Sequence, residues 1–65
     1  MATMIAIWDD VDINRWGDEY QIFCVATADD DGEPIGTIYQ YTNETGAQNL
    51  AEQMGRDRRL PIERM

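Results

Sequence analysis

The chain has 65 residues, with 13 Asp or Glu against five Arg, no Lys, no His and one Cys, and a net charge of −8. A chain this short buries only about 60% of the surface its unfolded form exposes, which allows one domain over residues 1–65 and excludes a second core. The lone Cys24 excludes an intrachain disulfide and a structural zinc site.

The first element expected is a strand over Thr3-Met4-Ile5-Ala6-Ile7-Trp8. Asp9-Asp10-Val11-Asp12-Ile13-Asn14 then alternates polar and apolar, so the strand should resume after a bulge at Asp9-Asp10. Asn14-Arg15-Trp16-Gly17-Asp18 turns the chain into a second strand, Tyr20–Thr27, rich in β-branched and aromatic residues. Asp31-Gly32 is the dipeptide of a type I′ turn and should lead into a third strand, Ile35–Tyr41. A turn centred there pairs Ala28 with Ile35, Ala26 with Thr37, Cys24 with Tyr39 and Ile22 with Tyr41 on one face. Val25 with Ile38 and Phe23 with Gln40 fall on the other. Both faces are partly apolar, so this register is weakly specified; one face should meet a helix and the other is free to meet a second subunit.

That helix follows. Thr45-Gly46-Ala47-Gln48 fits a capping box, with Asn43 as an earlier alternative. Ala47, Leu50, Ala51 and Met54 form one apolar stripe at helical spacing. Gly55 either ends the helix or sits inside one that runs to about Arg58, ahead of Leu60-Pro61. Arg56, Arg58 and Arg59 suit the negative end of the helix dipole. Glu52, four residues before Arg56, is placed to pair with it. The tail Pro61–Met65 reads as an edge strand. The expected fold is α+β: a three-stranded antiparallel β-meander followed by one C-terminal α-helix packed on one sheet face, with a short C-terminal edge strand.

The residues argue against catalysis. Without His or Lys, a general base at neutral pH must be a carboxylate raised by burial, and here the acidic runs fall in solvated turns. Cys24 has no His to activate it and reads as a small core residue of the central strand. Asp29-x-Asp31-Gly32 is reminiscent of a calcium loop. With Gly32 at the sixth position, however, Thr27 and Ile38 take the first and twelfth places, where carboxylates belong. No enzyme activity, metal or cofactor is expected.

Charge is unevenly placed. Residues 1–44 hold ten acids against Arg15, a net of −9, whereas residues 45–65 carry +1. Phosphate would be repelled, so direct nucleic-acid binding is not expected, and a partner protein with a basic surface is the natural complement. The candidate partner-binding residues are Asp9, Asp10 and Asp12, then Asp29, Asp30, Asp31 and Glu33, with Trp16 as a turn aromatic of the kind enriched at binding hot spots. Trp8 is expected in the core. Tyr39 and Tyr41, two residues apart, read either as half-buried sheet or as the centre of an interface. The Arg56–Arg59 run could grip a carboxylate or phosphate.

In size and acidity the chain resembles phage-type inhibitors of host nucleic-acid enzymes, with no motif shared. The leading expectation is a small acidic regulator or inhibitor, a nucleic-acid mimic engaging a basic surface. The alternative is a self-associating homodimer whose acidity and missing Lys reflect a salt-adapted composition. The N-terminus has no basic n-region and no apolar run approaches about 20 residues. Neither signal peptide nor membrane span is therefore expected, and the chain reads as cytoplasmic.

Overall fold

The computed structural model describes residues 1–65. Its elements in chain order are β1 (Met4–Ile13), β2 (Glu19–Ala28), β3 (Pro34–Tyr41), α1 (Glu44–Arg58) and β4 (Ile62–Arg64). They form one sheet in the order β3-β2-β1-β4, with β1, β2 and β3 antiparallel and β4 parallel to β1. The α+β meander, its C-terminal helix and the short edge strand are all present.

Alternation along β1 and β2 decides which residues meet the helix. Ile5, Ile7 and Val25 face α1 and make the core with Ala47 and Ala51, and Phe23, Tyr41, Leu50, Met54 and Leu60 pack around them. The helix presents Ala47, Ala51 and Gly55 as its buried row, so its backbone lies close to the sheet. Gly55 is that row's tightest point. A Cβ there would stand 3.1 Å from the Leu60 carbonyl oxygen and 3.2 Å from Ile62 Cγ1. The chain can therefore double back at Arg59 (φ 56°) and lay β4 beside β1.

Five local expectations are corrected. No bulge interrupts β1, since Met4↔Ala28 runs without slippage to Ile13↔Glu19. Asp9 accepts Gln21 Nε2 from the neighbouring strand and Asp10 accepts the Val11 backbone N–H, so both fit without an extra residue in the strand. The helix is capped by Asn43, whose Oδ1 accepts the Gly46 N–H at 2.7 Å, and not by Thr45. Starting earlier leaves only Thr42 and Asn43 between β3 and α1. Glu52 and Arg56 form no ion pair; the salt bridge in the fold joins Arg64 to Glu44 at 2.7 Å. Trp8 is only half-buried, on the face away from the helix.

The fifth correction is the β2–β3 register. Phe23 pairs with Tyr41, Cys24 with Gln40 and Val25 with Tyr39; a shift then brings Thr27 opposite Ile35. Tyr39 and Tyr41 thus join Val25 and Phe23 on the helix side, not Cys24 and Ile22. The cause is the turn. Asp29–Glu33 is closed by Asp29 N–H to the Glu33 carbonyl and Gly32 N–H to the Asp29 carbonyl, while Asp29 Oδ1 accepts the N–H groups of Asp31 and Glu33. Asn14–Asp18 is built bond for bond in the same way, with Asn14 Oδ1 accepting from Trp16 and Asp18. Gly17 and Gly32 both take φ of 84°, the left-handed residue of a turn with a glycine bulge. A third positive-φ glycine, Gly36 at 78°, absorbs the shift in β3.

Candidate functional site

Element lengths place the site. Ten-residue strands such as β1 and β2 span about 33 Å, whereas the 15-residue α1 spans about 22 Å. β3 reaches no further along β2 than Phe23, and β4 no further along β1 than Ile7. The outer parts of β1 and β2, with their connecting turn, therefore project as a two-stranded arm from a molecule measuring 40 × 22 × 17 Å.

The arm, residues 9–19 with Tyr20 and Gln21, carries Asp9, Asp10, Asp12, Asp18 and Glu19 against Arg15, a net charge of −4. None of these residues makes a salt bridge. Val11 (57% exposed) and Ile13 (60%) continue the row begun by Ile5 and Ile7 past the end of the helix, and Trp16 (74%) sits at the tip. The Arg15 guanidinium stacks on the Trp16 ring, 5.0 Å from its centroid. The arm thus combines an exposed apolar row and an aromatic tip with carboxylates that have no cationic partner.

Several of these carboxylates also hold the arm together. Backbone parity shows how. Ile5 N–H donates to the Pro61 carbonyl and Met65 N–H to the Ile7 carbonyl, so odd residues of β1 point their backbone groups toward β4. Beyond β4 the same parity aims the N–H groups of Val11 and Ile13 at solvent. Asp10 Oδ1 accepts the first and Asp12 Oδ1 the second, each at 2.8 Å. Asp12 Oδ2 also accepts the Tyr20 hydroxyl at 3.3 Å across the ladder, and Asp9 accepts Gln21 Nε2 at 3.0 Å. The Asp12 charge beside Tyr20 is the first cause of a phenol pKa raised above its ordinary value, with desolvation and their hydrogen bond acting the same way.

The second acidic group lies at the opposite end of β2. Asp29 is committed to the turn, whereas the side chains of Asp30, Asp31 and Glu33 make no hydrogen bond or ion pair. This turn curls back over the sheet face that lacks the helix: Gly32 and Pro34 line one recess with Trp8 and Met65. Ala6, Ala26 and Ala28 on that face are consequently fully buried. The curl brings the turn backbone toward Trp8, the neighbour of Asp9, but no three carboxylates converge in a way that could hold a metal ion.

Cys24 is buried on the same face, and burial first, then the Asp10 charge, pushes its thiol pKa up and away from the reactive thiolate. No helix is long and apolar enough to cross a membrane. No family model, curated protein or solved structure matches the chain.

Val11, Ile13, Glu19, Tyr20 and Gln21 belong to the arm but are absent from the residues the charge pattern selects. Their signal was length. A strand alternation about 11 Å longer than the helix that must cover it leaves its last apolar positions in water.

Proposed function

We propose that this chain is a non-enzymatic protein-binding module, a small acidic regulator or inhibitor that presents its hairpin arm to a basic surface of a partner protein. The observation that carries the reading is the exposure of Val11, Ile13 and Trp16 on an arm whose carboxylates have no cationic partner. Apolar side chains would supply the contact, and the −4 charge would steer the encounter and select a basic surface. Asp30, Asp31 and Glu33 add charge near Trp8 without a structural task of their own. This reading supports inhibition of a nucleic-acid-handling protein by occupancy of its phosphate-binding surface.

Self-association is the second reading, favoured by Ile35, Ile38 and Tyr39, which stand 38–45% exposed along β3. One experiment separates the two. The tagged chain is used to capture proteins from lysate at low and high salt, beside an Asp18→Asn, Glu19→Gln, Trp16→Ala variant. Capture of a protein with an isoelectric point above about 9, lost with salt and with the variant, is the expected result. Recovery of the chain alone, unaffected by the variant, replaces the first reading with the second.

A further inference from the structure

Every sheet edge offers backbone donors and acceptors to another strand, and soluble proteins block them. This sheet blocks most of its edges. β4 is only three residues long. β3 begins at Pro34, and the register shift at Gly36 breaks its line, leaving a short segment around Ile38–Gln40. Along the outer half of β1 the outward N–H groups of Val11 and Ile13 are covered by Asp10 and Asp12, which leaves only that of Asp9, beside the end of β4, uncapped. On β2, parity is set by Asp29 N–H, which bonds across to Glu33 on the β3 side, so odd residues of β2 point that way. The ladder with β3 stops at Phe23↔Tyr41, and the next outward groups belong to Gln21 and Glu19. No strand pairs with them there, no side chain caps them, and both residues are exposed.

We propose that this open edge of β2 is a strand-addition site, taking a basic, extended segment of the partner protein antiparallel to Glu19–Ile22 along the line that β3 vacates. The inference rests on the docking reading above and names the mode of contact. Capping one edge of the arm while leaving the other open selects β2. Charge selects the occupant. A Lys or Arg opposite Glu19, beside Asp18, is a favourable cross-strand pair, whereas a second copy would bring its own acidic arm against this one. The incoming strand supplies hydrogen bonds through its backbone and selectivity through its basic side chains.

The test uses the whole chain and a peptide of about eight residues, a usual strand length, alternating Lys and Val with blocked ends. Two further peptides carry backbone N-methyl groups on every second residue, in opposite phases. Amide hydrogen exchange read by NMR should slow roughly tenfold at Glu19 and Gln21 on binding, and stay unchanged at Val11 and Ile13. One N-methyl phase should weaken binding by about tenfold or more while the other, with its methyl groups toward solvent, binds as before. Gln21→Pro, which removes an outward N–H together with the Gln21–Asp9 side-chain bond, should match the blocked phase, whereas Gln21→Ala, which loses only that side-chain bond, should bind as the parent does.

Binding that ignores methylation phase and Gln21→Pro overturns strand addition and leaves the arm as a side-chain docking surface. No binding of any peptide at low salt overturns the arm reading as well. Protection at Glu19 and Gln21 that rises with chain concentration in the absence of peptide assigns the edge to a second copy and refutes the basic partner.

Discussion

Replacing Asp10 and Asp12 tells a structural carboxylate from a functional one. Each caps the N–H of the following residue at 2.8 Å, and Asp12 also receives the Tyr20 hydroxyl. Asn keeps an oxygen where the capping oxygen stands and removes the charge; Ala removes both. An exposed hydrogen bond is worth about 0.5 kcal/mol net at the lower end of the usual range, so the double Ala variant should lose roughly 1 to 1.5 kcal/mol over three bonds. With an unfolding entropy of about 2.1 cal/mol/K per residue, a chain of this length shifts by about 7 °C per kcal/mol, placing the drop in Tm near 7–10 °C. The double Asn variant should stay within about 0.5 kcal/mol of the parent, the range of an ordinary surface change. Thermal unfolding by circular dichroism reads the first effect. Sedimentation velocity reads the second, because the Ala variant alone uncovers edge donors and should self-associate with concentration. Equal losses in Tm for Asn and Ala, with both variants monomeric, would refute edge capping.

Further outcomes follow from the helix and from Tyr20. Gly55→Ala gains about 1 kcal/mol of helix propensity but sets a Cβ 3.1 Å from the Leu60 carbonyl, and overpacking of 1–3 kcal/mol should win. The expected signs are a lower Tm and faster exchange of the Met65 amide; a higher Tm would show that β4 does not pack on the helix. Asn43→Ala should cost about 1 kcal/mol as a lost N-cap, whereas Thr45→Ala, one residue inside the helix, should change Tm little. The Tyr20 phenol should ionise at higher pH than ordinary tyrosine, and Asp12→Asn should lower its titration, read by phenolate absorbance. Because the folded value is the raised one, the linked stability is fully present below the unfolded pKa of about 10 and lost as pH rises through the folded value.

Periodicity carried much of the fold. Alternation around Ile5, Ile7 and Val25 and the Ala47–Ala51 stripe describe surfaces that must be buried, and only one packing buries both. Registers and caps were harder, because several local solutions compete within about 1 kcal/mol. Asp31-Gly32 satisfies a two-residue turn as a dipeptide. The chain instead takes the longer turn whose Asx oxygen satisfies two backbone N–H groups. The signal for this was a recurrence: Asn14-x-x-Gly17-Asp18 and Asp29-x-x-Gly32-Glu33 share one spacing and one structure. The candidate site was legible as charge and as Trp16, but its apolar half was hidden because Val11 and Ile13 look like core until the helix is seen to end before them.

The structure also changes what acidity means in this chain. Asp9, Asp10, Asp12 and Asp29 each accept hydrogen bonds that hold a strand or a turn, so their presence is explained without any partner. Asp18, Glu19, Asp30, Asp31 and Glu33 have no such task for their side chains, and Val11, Ile13 and Trp16 stand in water at a cost folding alone does not require. A composition shaped only by salt adaptation would scatter acids wherever solvent allows, and would give no reason for apolar side chains to accompany them. The proposed docking surface therefore consists of residues the fold does not need. Neutralising Asp18, Glu19, Asp30, Asp31 and Glu33 together should leave Tm within a few degrees of the parent while abolishing salt-sensitive capture of a basic partner. A variant that unfolds, or one that still captures, would return these carboxylates to the role of solvating the surface.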